Sequence, residues 1–129
     1  MIGSMKRDVV VWVDHREALL AWVTPETEDF RRLESGMEKH VRYSGIAEGG
    51  AEDARDRRFA GHLDRYYDEV IAAVSGADSI LILGPGEAKL ELAKRLRDEG
   101  HGQRIAGVET TDKMTDHQVA AEARKRFRV

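Results

Sequence analysis

The chain contains no cysteine among its 129 residues. That absence excludes a disulfide framework, thiolate metal ligands and a thiol nucleophile. Nor does either sign of charge dominate. Twenty-one Lys and Arg stand against 24 Asp and Glu, a net charge of −3. A nucleic-acid role therefore has no global electrostatic signal and needs a local basic patch. No apolar run approaches the roughly 20 residues that cross a bilayer, and the N-terminus lacks a signal-peptide core. The cytoplasm is the expected compartment, with no membrane partner. Internal repeats, coiled-coil heptads and low-complexity tracts are missing as well. What is present, 41% apolar and 35% charged residues, is the profile of a soluble globular domain. The length predicts one such domain over residues 8–129, after a disordered or vector-derived start over residues 1–7.

The stretch Ser79 to Gly100 organises the rest. Four apolar residues, Ile80 to Leu83, stop at Gly84-Pro85-Gly86, and an amphipathic segment carrying Leu92, Ala93 and Leu96 follows at once. An unbroken apolar run implies a strand covered on both faces, so this reads as an interior strand, a tight turn and a helix. Gly84 and Gly86 are expected to supply backbone angles closed to other residues, and Gly100 to stop the helix. Upstream, Val9 to Val13 and Ala18 to Val23 are two apolar runs separated by Asp14, His15 and Arg16, a β-hairpin. A third, more polar strand is expected over Thr27 to Leu33. Phe30 is its clearest inward candidate, and its charge suits an edge.

Residues 35–53 hold Gly36, Gly45, Gly49 and Gly50 and little periodicity. Two readings stay open: a long mobile loop, or an extended connection with a short strand near His40 to Tyr43. From Arg55 to Ser75 the period becomes helical, with Phe59, Leu63, Tyr66 or Tyr67, Val70, Ile71 and Val74 on one stripe. A short strand at Arg104 to Glu109 follows the organising stretch. Thr115, three residues before Gln118, then reads as a capping box opening a helix with Val119, Ala123 and Phe127 on one face. The order is three strands, helix, strand, helix, strand, helix. An antiparallel meander followed by right-handed crossovers gives an α/β, ribonuclease-H-like mixed five-stranded sheet with helices on both faces.

Gly49-Gly50 before a long charged helix, Gly84-Pro85-Gly86 with Lys89, and Ile105-Ala106-Gly107-Val108 together resemble one known domain. It is the middle domain of the archaeal and eukaryotic class I peptide chain release factors and the Pelota-like rescue factors. Val11-Trp12-Val13-Asp14-His15-Arg16-Glu17-Ala18 and Gly107-Val108-Glu109-Thr110 resemble the stand-alone bacterial members called translational machinery proteins. The resemblance implies ribosome association. Release factors carry a Gly-Gly-Gln tip that promotes peptidyl-tRNA hydrolysis, and Gly49 and Gly50 fall at its place. The third position is Ala51. Alanine has no side-chain amide to position water, so no release activity is expected. The codon-reading and GTPase-recruiting domains of release factors have no counterpart in this sequence.

The expectation is thus a non-catalytic module whose partner is the ribosome or structured RNA. Its contacts would come from Lys39, Arg42, Gly49, Gly50, Arg55, Arg57 and Arg58. Acids interleave with these arginines, as on a solvated helix with i,i+4 pairs. A second basic cluster is Arg124, Lys125, Arg126 and Arg128. Gly84 and Gly86, before a helix N-terminus, form an anion-binding turn or simply a tight turn. They lack the spacing and the Lys-Ser/Thr ending of a nucleotide-binding loop. The alternative from another class is a divalent-metal nuclease using Asp14 with Glu109 or Asp112, against hairpin-turn chemistry for Asp14. The five histidines show no metal-ligand spacing, and no cofactor or resident metal is expected. The exposed edge expected at the third strand suggests a third possibility, a protein-binding or homodimerising module.

Overall fold

The computed structural model describes residues 7–36 and 52–128, and for residues 52–60 and 62 the backbone alone. Valines dominate β1 (Asp8–Val13), whose six residues are all buried. β-Branched side chains pack well on a pleated surface, and this strand is covered on both faces. It pairs antiparallel with β2 (Glu17–Val23), which pairs antiparallel with β3 (Glu28–Glu34). On its other side β1 runs parallel to β4 (Ser79–Gly84), and β4 runs parallel to β5 (Ile105–Thr110). The sheet order is β3-β2-β1-β4-β5. The expected mixed ribonuclease-H-like sheet is therefore present, with the Ile80 to Leu83 run as an interior strand and the third strand at an edge.

Alternation along the strands divides the core in two. Val9, Val11, Val13, Leu20, Ile80 and Ile82 face α1 (Glu52–Ala73) and α2 (Ala88–Asp98). Val10, Trp12, Leu19, Ala21, Leu81 and Leu83 face α3 (Asp116–Phe127). Of the helical stripe expected on α1, Tyr66, Tyr67, Val70 and Ile71 are in the core, with Leu63 half-buried against it and Val74 just past the helix end. The Phe59 side chain lies outside the described residues. Each fully buried aliphatic side chain contributes roughly 1.5–3 kcal/mol against the large entropy of chain ordering.

Phe30 corrects the sequence reading. It is 37% exposed, whereas Leu33 is the buried residue of β3. Phe30 pairs with Ala21 on the face that α3 covers, but the apolar side of α3 packs on β1 and β2. Helix α3 meets β3 through the Arg32–Asp116 and Glu28–Arg124 ion pairs on either side of Phe30. Leu33 lies on the opposite face, where α1 reaches the edge strand.

The glycine expectation is corrected as well. Among the described residues the positive-φ glycines are Gly36 and Gly100, not Gly84 or Gly86. Gly84 is required by proximity instead, because a Cβ there would sit 2.2 Å from the Val13 carbonyl oxygen. At Gly86 a Cβ would meet nothing within 4 Å. Gly100 does stop α2. Its N–H donates to the Arg97 carbonyl and that of His101 to Leu96, the paired bonds of a Schellman motif. The capping box at α3 is present in full: the Gln118 N–H donates to Thr115 Oγ1 and the Thr115 N–H to Gln118 Oε1.

Candidate functional site

Strand directions gather the candidate residues. β1, β3, β4 and β5 all point the same way, so the segments that follow them emerge at one edge of the sheet. These segments are the Asp14–Arg16 turn, Ser35–Gly36, Pro85–Glu87 and Thr111–Met114. The C-terminal edge of such a sheet is where an α/β fold ordinarily places its ligands. A cleft of about 660 Å³ opens there, lined among the described residues by Asp14, Arg16, Glu17, Glu34, Ser35, Gly36 and Lys113. The chain leaves the sheet beside it at Gly36 and re-enters described structure at α1.

Asp14 is a turn residue. Its Oδ1 accepts the backbone N–H groups of Arg16 and Glu17, both at 2.8 Å, and its own N–H donates to the Glu17 carbonyl. Glu109 is ion-paired to Arg126. Asp112 contributes its carbonyl, which accepts the Trp12 indole N–H at 3.0 Å. Among the described residues no three His, Cys, Asp or Glu side chains converge as a metal would need. The Asp14 and Glu109 carboxylates of the nuclease alternative thus serve separate structural roles, and Asp112 acts through its backbone.

Lysine and arginine hold the rest of the edge together. Glu17 takes the Lys113 ammonium on one oxygen and Arg32 on the other, and Arg32 reaches on to Asp116 at the start of α3. Lys113 also lies 5.5 Å from the centroid of the Trp12 ring. The Lys113 bond, with Arg32 behind it, holds the Glu17 carboxyl below the usual carboxylate range. A depressed folded-state value stabilises above the unfolded value, and that stabilisation is lost as pH falls through the folded one. Glu17→Gln is therefore expected to cost about 1 kcal/mol at neutral pH, since the partners are partly exposed, and progressively less toward pH 3. Urea denaturation at the two pH values measures this, and a constant difference would count against it.

A second network joins α1 to α2 and to the hairpin. The Tyr66 hydroxyl donates to the Asp14 carbonyl at 2.9 Å, and that of Tyr67 to Glu91 Oε1 at 2.5 Å. The same oxygen contacts His15 Nε2 at 3.0 Å. Arg95 binds both Asp64 and Asp68 and lies 6.0 Å from the Tyr67 ring centroid. The sequence placed Tyr67 on the helical stripe and His15 in the hairpin turn, but gave no sign that they meet Glu91, or that Arg95 bridges α2 to α1. The available signal was Asp64 and Asp68 four apart on one helix face, but their partner stands on another helix rather than on the next turn.

The basic clusters divide in the same way. Lys39, Arg42, Gly49 and Gly50 lie outside the described residues. Arg55, Arg57 and Arg58 stand in the first turns of α1, where the backbone alone is described. Tyr66 touches the hairpin at the sheet edge, and residues 52–65 precede it, about 21 Å of helix at 1.5 Å per residue. At the other end of the chain, Arg124 is occupied by Glu28 and by the carbonyls of Thr24 and Thr27, and Arg126 by Glu109. Lys125 and Arg128 are exposed. Gly84 and Gly86 do precede the α2 N-terminus. There the Lys89 ammonium is buried and donates to the Gly86 carbonyl at 2.5 Å, and the Glu87 side chain makes no capping bond.

No protein-family model matches the sequence, and no curated protein matches it significantly. Solved structures share the fold. The Pelota protein of Thermoplasma acidophilum superposes with a TM-score of 0.59 at 20% identity, over 90% of this chain and 31% of that one. The archaeal translation termination factor aRF1 gives 0.59 at 14%, over 95% of this chain and 34% of its own. The Pelota of Archaeoglobus fulgidus gives 0.61 at 11%, over 97% and 33%. The chain spans about a third of the length of these proteins, and at such identities the likeness is one of fold.

Proposed function

We propose that this chain is a non-catalytic module that docks on the ribosome or on structured RNA, built like the middle domain of a peptide chain release factor but without peptidyl-tRNA hydrolysis. The observation that carries the proposal is the fold likeness to Pelota and to a translation termination factor over nearly the whole chain. Gly49-Gly50 stands just before α1, where the release factors hold their tip, and Ala51 replaces the glutamine on which hydrolysis depends. The contacts are Lys39, Arg42, Gly49 and Gly50, with Arg55, Arg57 and Arg58 on the first turns of α1. The mechanism is steric and electrostatic: the basic side chains neutralise phosphates while the sheet holds α1 in place.

Co-sedimentation with purified ribosomes across a salt series tests this reading. Saturable binding that weakens with salt is expected. Replacing Arg55, Arg57 and Arg58 together by alanine should weaken it at least about tenfold and lower the log–log salt slope by about 2, at unchanged thermal stability. Absence of saturable binding, or a salt slope indifferent to the three arginines, would overturn the proposal. No helix among the described residues is long and apolar enough to cross a membrane.

A further inference from the structure

β3 ends the sheet, and among the described residues nothing pairs with its outer edge. Its hydrogen-bond phase follows from the bonds at its two ends. The Thr24 N–H donates to the Thr27 carbonyl at 3.0 Å, and that of Ser35 to Arg16 at 2.8 Å. Odd-numbered residues of β3 therefore turn their backbone groups toward β2, and Glu28, Phe30 and Arg32 turn theirs outward. Phe30, 37% exposed, stands at the middle of this edge. Asp29 and Arg31, its neighbours on the strand, are exposed and form no ion pair among the described residues, unlike Glu28 and Arg32.

We infer that the outer edge of β3 pairs antiparallel with β3 of a second copy of this chain, about a two-fold axis at Phe30. A two-fold perpendicular to a continuous sheet places residues of the same face opposite each other, so the axis must pass through a single residue. Centring it on Phe30 sets Phe30 against itself, Asp29 against Arg31 of the other copy, and Glu28 against Arg32. Asp29, Arg31, Glu28 and Arg32 then each meet an opposite charge, twice over by symmetry, while Glu34 at the end of the strand meets Glu26 of the other copy. Moving the axis one residue gives Asp29 against Asp29, or Arg31 against Arg31 with Glu28 against Glu34. Like charges directly opposite are destabilising, and of these registers the one centred on Phe30 keeps them off the axis while setting both Asp29 and Glu28 against arginine. In that register the outward N–H and C=O groups of Glu28, Phe30 and Arg32 are the ones that face their counterparts, and the two sheets become one of ten strands. This pairing is independent of the ribosome-docking proposal, since it uses the edge strand and not α1.

Sedimentation velocity of the full chain over a concentration series reads the association directly. A reversible dimer is expected. Asp29→Arg and Arg31→Asp should each weaken it at least about tenfold, by opposing like charges at two symmetric places, and the double exchange should restore it. Phe30→Pro removes an outward N–H at a site where an edge strand tolerates proline, and should abolish the dimer with the circular dichroism unchanged. A monomer at all concentrations up to about 1 mM, or a dimer indifferent to the single exchanges, overturns the inference.

Discussion

Gly84→Ala is expected to destabilise the protein by about 3 kcal/mol or more. The added methyl would lie 2.2 Å from the Val13 carbonyl oxygen, which is backbone at the end of the central strand. It cannot rotate away as a side chain would. Relief requires β1 and β4 to separate where they pair in parallel, Trp12 beside Leu83. The Gly84 carbonyl also accepts the Thr111 N–H at 3.0 Å, so movement of β4 disturbs the exit from β5 as well. Gly86→Ala, two residues on, is the matching control. The position is exposed with nothing within 4 Å of the new methyl, and the change should be nearly neutral. Urea denaturation followed by tryptophan fluorescence compares the two. Equal midpoints for the variants would disprove the close-approach account of Gly84.

Tyr66→Ala carries the second large effect, about 3–5 kcal/mol, because Tyr66 heads the fully buried side chains by volume and its removal empties the junction of α1 with the sheet. Tyr66→Phe keeps the ring and loses only the bond to the Asp14 carbonyl, so about 1–2 kcal/mol is expected. The difference between the two separates ring packing from the tether that fixes α1 to the hairpin tip. The phenols supply a further readout. Burial first of all, with neighbouring carboxylates behind it, pushes the Tyr66 hydroxyl far above the ordinary tyrosine value, and burial together with the Glu91 hydrogen bond does the same for Tyr67. A raised folded-state value means that the native chain holds protons the unfolded chain gives up. The stabilisation is complete below the unfolded tyrosine value and is lost as pH rises beyond it. Alkaline unfolding should therefore coincide with phenolate absorbance from these two residues. Phenolate signal from both in a chain with native circular dichroism would contradict their placement.

Much of the fold is local in origin, which is why it was legible. Continuous apolar runs at Val9 to Val13 and Ile80 to Leu83, the three-residue break at Asp14, the helical stripe from Tyr66 to Val74, the Thr115 capping box and the Gly100 stop are patterns within a few residues of one another. Dihedral preference and hydrophobic period act over that range, and they specify the elements, their order and the sheet with helices on both faces. Asp14 as a turn residue was legible for the same reason, because its carboxylate bonds residues two and three positions on.

What the tertiary structure alone decided depends on distances between elements remote in sequence. Whether Phe30 or Leu33 is inward follows from how far α3 and α1 reach across the sheet, which no period within β3 encodes. Gly84 looked like a conformational glycine and is a steric one, since the obstacle is a carbonyl 71 residues earlier in the chain. The acids on α1 looked like partners for their own helix, yet Asp64 and Asp68 both serve Arg95 on α2. The same holds for Arg124 and Arg126, basic in the sequence and paired in the fold. A sequence shows which charges exist and at what spacing along one element. Only packing determines which opposite charges come within bonding distance, because Coulomb and steric terms act through space and not along the chain.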